Sequence, residues 1–315
     1  MQPSLEEIEQ RARSLEQSRR TRDASDAYLE LAKGLQSEGY VRRVSSVLLR
    51  ALRLNEKNGE AWHLFGVLHR ERGKPFEADR AFRKAIKAGP NAAEHKVEYG
   101  VLLYMTREWE KAEVQLRASL ETERTVRGLQ FLGLTLAELG DMKSAVQLAQ
   151  EAQTLSPEDT EVAFSLGAVL FRARRVAEAR EILQRVVEEK RHSRAGVKRR
   201  IRDALDMGPD SVHSWMVIAD IFDGLERRWE ATLALRIATC IDRDNARAWY
   251  ELSETVQSEH FHQEALNRAI VLNRGDPDIL CANAISFYES GMKKEALDTL
   301  EEVLVIDPEH VDAQL

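Results

Sequence analysis

Cysteine is scarce in this 315-residue chain. The two present, Cys240 and Cys281, form no CxxC pair, which argues against a disulfide framework or a cysteine zinc module and fits a reducing compartment. Proline is also sparse, at 7 residues, and the abundance of Ala, Leu, Glu and Arg favours helix over strand. No apolar run reaches spanning length, and the first residues are acidic where a signal peptide needs a basic start, so a cytoplasmic location is expected. The motifs GxGxxG, GxxxxGK[ST], GxSxG and HExxH are all missing, so no enzyme activity, cofactor, metal or small-molecule substrate is expected. His260 and His262 flank Phe261 without a third ligand nearby, and the acid pairs Glu188–Glu189 and Glu301–Glu302 read as solvated helix faces. With 46 basic against 53 acidic residues, the net charge of −7 speaks against a generally nucleic-acid-binding surface.

What the chain does have is a period. Glycines stand at 66, 100, 133 and 167, and alanines at 78, 112, 145 and 179; both series step by 34, 33 and 34 residues. A fixed step of this size marks one supersecondary unit that buries its apolar face by stacking on copies of itself. Within one step, Trp62, Phe65, Gly66, Gly73, Ala78, Phe82, Ala85 and Pro90 are spaced to put the large residues on single helical faces. Gly66 and Ala78 allow close approach of two antiparallel helices, and Pro90 cannot continue the second.

These residues resemble the tetratricopeptide repeat. The pattern recurs at Tyr99, Gly100, Ala112 and Leu116, at Leu132, Gly133, Gly140, Ala145 and Pro157, and at Leu166, Gly167, Ala179 and Leu183. A fainter copy runs from Tyr28 to Ala51, and the pattern resumes at Trp215, Ala219 and Ala231, at Trp249 and Ala265, and at Leu280, Ala284 and Ala296. Eight units are expected, beginning near 25, 59, 93, 126, 160, 212, 246 and 277. The resemblance implies an all-α fold, a right-handed α-solenoid of antiparallel helix pairs. Its expected divisions are a charged leading helix over 1–24, a five-repeat lobe over 25–193, a basic helical insertion over 194–211 and a three-repeat lobe over 212–315. The end at Leu315, where a ninth first helix would start without a polar closing helix, reads either as an excised segment or as a self-associating end.

The insertion follows from Ala179 to Ala231, one repeat plus 18 residues. Its basic stretch, Lys190, Arg191, Arg194, Lys198, Arg199, Arg200 and Arg202, contains no acid. Two readings stay open: a solvated helix with Val197, Ile201, Ala204 and Leu205 packed inward, or a functional stretch that contacts an acidic protein, RNA or an anionic membrane or serves as a nuclear address.

In tetratricopeptide arrays the first helices line the concave groove. The resemblance therefore implies groove positions at His63, Val67, Val97, Val101, Tyr104, Gln130, Leu134, Phe164 and Phe171, continuing at Met216 and Tyr250. The strip is mostly apolar and aromatic up to Phe171, and is expected to stand open for an amphipathic helix or extended apolar peptide, with Tyr104, Phe164 and Phe171 as anchors; the alternative is that neighbouring repeats or the leading helix cover these side chains as ordinary core. Beyond it, His213, Asp220, Asp223, Arg247 and Glu254 make the face mixed and more acidic. The Lys and Asn set with which some of these modules clamp a terminal carboxylate is not found. The expected function is a noncatalytic scaffold or adaptor that binds a protein segment to assemble a larger complex. The alternatives are the regulatory region of a larger enzyme, an adaptor for RNA or anionic membrane through the basic stretch, and a self-assembling array.

Overall fold

The computed structural model describes residues 4–89, 92–188, 195–256 and 259–314, and among them are nineteen helices and no strand. They fall into two compact units, Met1–Leu155 and Ser156–Leu315. In the first, the leading helix α1 (Leu5–Gln17) packs on α2 (Thr21–Ser37), which pairs with α3 (Val41–Leu54). Three further pairs follow: α4 (Gly59–Glu71) with α5 (Pro75–Ala88), α6 (Ala93–Met105) with α7 (Trp109–Leu120), and α8 (Val126–Leu139) with α9 (Met142–Leu155).

The second unit opens with the pair α10 (Thr160–Arg172) and α11 (Val176–Glu188), then the single helix α12 (Ala195–Asp206). The pairs α13 (Val212–Asp223) with α14 (Arg228–Ile241), α15 (Ala246–Thr255) with α16 (Glu259–Leu272) and α17 (Pro277–Glu289) with α18 (Lys293–Ile306) follow, ahead of a short α19 (Val311–Gln314). The chain thus divides between 155 and 156, whereas the sequence pattern set its lobes apart at the insertion; α12 lies inside the second unit, packed on both α11 and α13.

The residue types that mark the repeats have visible jobs. Asn58, Thr125, Asp159, Ser211, Asn245 and Asp276 each accept a backbone N–H at the start of a first helix, satisfying a donor that has no partner within the helix. The turn after α8 needs a left-handed residue, and Gly140 supplies it at φ +88°. Gly100 permits the close contact inside the third pair, since a Cβ there would sit 2.5 Å from Leu116. Three tryptophans tie each first helix to the loop before it: Trp62, Trp215 and Trp249 donate their indole N–H to the carbonyls of Glu56, Pro209 and Arg243 at 2.8, 2.8 and 2.9 Å. Pro90, read as a boundary marker, lies outside the described residues.

Candidate functional site

The first-helix face of the first unit is closed. Val97, Val101, Tyr104, Gln130 and Leu134 are buried, and His63 and Val67 are partly so. Tyr104 meets Phe131 edge-on, with ring centroids 5.7 Å apart. The two expected anchors in α10 are core residues of the second unit. Phe164 and Phe171 are both 0% exposed. Phe164 lies edge-on to Phe222 at 4.7 Å and to Trp229 at 6.2 Å, while Phe171 packs on Trp215 at 5.2 Å. The expectation of an open apolar strip is therefore corrected at these positions. The signal was present in the sequence: α8 and α10 are apolar on nearly every face, and a helix of that kind is enclosed.

Within this closed face sits a charged triad. The Glu98 carboxylate of α6 receives Arg70 from α4 on one side and Arg127 from α8 on the other, the latter at 2.5 Å, and Glu98 and Arg70 are both largely buried. Burial alone would raise the Glu98 pKa, but the two guanidiniums outweigh it and hold the carboxyl below its ordinary range.

Close by, the rings of His63 and His95 stack with centroids 4.9 Å apart, and Glu94 lies 3.5 Å from His63. Burial lowers the pKa of both rings, and for His63 the neighbouring His95 adds to it. The folded chain resists protons that the unfolded chain takes up near the ordinary histidine pKa of about 6.5, so this contribution to stability is full above that pH and shrinks below it. The thermal midpoint is expected to fall between about pH 7.5 and 5.5, and to fall less in a His63→Gln/His95→Gln variant. An identical fall in both proteins, followed by circular dichroism, would remove these histidines from the account.

Beyond α10, the same face differs in the second unit. A cleft of about 430 Å³ opens between α13 and α15, lined by His213, Met216, Asp220 and Asp223 on one side and by Arg247, Tyr250, Glu251 and Glu254 on the other. It brings together Met216 and Tyr250, both partly exposed, from among the expected groove residues. Glu251, which sequence reasoning passed over, also lines it, within a face already read as acidic. Arg247 is committed: its guanidinium reaches Asp278 at 2.8 Å and Glu251 at 3.1 Å, and lies 5.0 Å from the Tyr250 ring centre. Burial raises the Glu251 pKa despite Arg247, and burial with Glu254 and Asp278 nearby pushes Tyr250 up to about 12. The Asp278 carboxyl is held low, chiefly by its hydrogen bond from Arg247.

The basic stretch lies beside this cleft only in part. Lys190, Arg191 and Arg194 fall outside the described residues, and Lys198 lies in α12. Ile201, Ala204 and Leu205 are buried and Val197 is partly buried, as an inward-packed helix requires. Arg199 lies 3.9 Å from Asp203, Arg200 forms an ion pair with Asp220 at the cleft, and Arg202 is exposed. Among the described residues, no three His, Cys, Asp or Glu side chains are placed to hold a metal ion, and no helix is long and apolar enough to cross a membrane.

Comparison with known proteins agrees with the helix pairs. Two family models described as tetratricopeptide repeat match residues 63–123 and 136–201. The type IV pilus assembly protein PilF of Pseudomonas aeruginosa is 26% identical over 162 residues, covering 50% of this chain; the match spans 64% of that relative's length. The crystal structure of PilW, described as a widely conserved type IV pilus biogenesis factor, superposes with a TM-score of 0.51 at 15% identity, covering 74% of this chain and 98% of that one. At that identity the likeness is one of fold.

Proposed function

The chain is a tetratricopeptide repeat protein, and from that premise we propose that it is a noncatalytic scaffold that takes a helical or extended segment of a protein partner into the α13–α15 cleft to assemble a larger complex. Tetratricopeptide proteins act in general through protein partners, and the similarity to a type IV pilus assembly protein favours assembly of a multiprotein machine as the role. The observation that carries the reading is the contrast between the first helices up to α10 and the later pair α13 and α15. The first-helix face is packed shut at Val97, Val101 and Leu134, whereas at Met216 and Tyr250 it borders an open cleft of about 430 Å³, within the size range of ligand-binding clefts.

The test is a photo-crosslinking amino acid placed at Met216 in the native cell, with the exposed Val114 of α7 as control. Discrete crosslinked protein segments are expected from position 216 and none from 114. Crosslinks from 114 alone would move the docking site to the outer helices.

A further inference from the structure

The repeat register makes the two units comparable position by position. Arg70, Glu98 and Arg127 stand eleven, five and one residues beyond the first residues of α4, α6 and α8. Asp223, Glu251 and Asp278 stand in those same places after the starts of α13, α15 and α17. The middle carboxylate is kept, while both flanking cations have become aspartates. In the first unit the central Glu98 is closed from two sides by guanidiniums. In the second, Arg247 reaches Glu251 and Asp278, and the register position of Arg70 holds the shorter, acidic Asp223.

Charges that stack up like this repel one another unless a cation joins them. Asp223 and Glu254 are both exposed, and neither side chain forms a salt bridge or hydrogen bond among the described residues. The chain's own side chains show which group suits this surface: the Arg200 guanidinium pairs with Asp220 at the rim, and that of Arg247 lies over Tyr250. Guanidinium is the cation that combines carboxylate pairing with stacking on an aromatic face.

We propose that the α13–α15 cleft is a receptor for a cationic protein segment, with an arginine side chain of the partner occupying the place that Arg70 fills in the first unit, between Asp223 and Glu254 and against Met216. This rests on the reading that the cleft is the docking site, and it names the chemistry of the occupant. An arginine stem is apolar enough to cover Met216 while its head reaches the carboxylates. An acidic segment meets Asp220, Asp223 and Glu254 and is rejected.

The experiment measures binding of three fluorescent decapeptides to the full chain by anisotropy: leucine alternating with arginine, with its neutral isostere citrulline, and with glutamate. The arginine peptide is expected to bind at least tenfold more tightly than the citrulline peptide, and the glutamate peptide not at all. Asp223→Asn/Glu254→Gln is expected to lose about tenfold in affinity, and Asp223→Arg, which restores the first unit's pattern, to block binding. Glu301→Gln/Glu302→Gln, remote acids on α18, is expected to leave affinity unchanged, with all variants shown by circular dichroism to be folded. Equal binding of the arginine and citrulline peptides, or equal losses from the cleft and remote variants, would overturn the assignment. Crosslinks at position 216 together with that result would leave the docking site standing and remove only its cationic occupant; no crosslinks at 216 would remove both.

Discussion

Replacing Glu98 by alanine is expected to cost about 3 kcal/mol of stability, chiefly because it strands the largely buried Arg70 guanidinium, while Arg127, its side chain 43% exposed, loses its partner but keeps water. The loss comes from unpaired buried charge rather than from the worth of the pairs themselves. A variant in which all three become apolar, Arg70→Met/Glu98→Leu/Arg127→Met, is therefore expected to recover most of it. The same triad has a pH signature. The Glu98 carboxyl is held below its ordinary value in the folded chain, so its contribution is full above about pH 4.5 and is lost as pH falls through the lowered value. Urea unfolding at pH 7 of the single and triple variants measures the effect. A single variant within about 1 kcal/mol of wild type would show that the triad is solvated and exposed.

Phe171→Ala is expected to cost about 3–5 kcal/mol, since the ring is fully buried against Trp215 and its removal leaves a cavity as well as losing apolar burial. Phe164→Ala falls in the same class, with Phe222 and Trp229 losing their partner. Met216→Ala, on the partly exposed wall of the cleft, is expected to cost well under half as much. Thermal melts of the three variants separate core from surface directly. A Phe171→Ala protein as stable as the wild type would mean that this position stands open, as the sequence strip suggested.

The repeats were legible because their signposts are steric. A glycine where a Cβ would meet Leu116 and a left-handed Gly140 leave marks at fixed intervals, and the first helices begin at 59, 93, 126, 160, 212, 246 and 277, where the pattern put them, while the faint first unit, expected near 25, begins with α2 at Thr21. Exposure was not legible in the same way. A position offset from the packed face is open only if nothing else covers it, and at Phe164 the covering rings are Phe222 and Trp229, more than fifty residues along the chain. The acidic turn of the face in the last repeats could be read from Asp220, Asp223 and Glu254. Its relation to Arg70, Glu98 and Arg127 could not, because those three become a unit only once α4, α6 and α8 lie side by side. The basic stretch was ambiguous for a similar reason: composition shows cations without acids, whereas the pairing of Arg200 with Asp220 depends on how α12 sits.

Hydrogen exchange of the full chain, with and without saturating leucine–arginine peptide, tests the central claim most directly. Slowed exchange confined to α13 and α15, with α6 and α8 unchanged, is the result expected if the second unit's cleft is the receptor and the first unit's face is core. Slowing along α6 and α8 with none in α13 and α15 would contradict it.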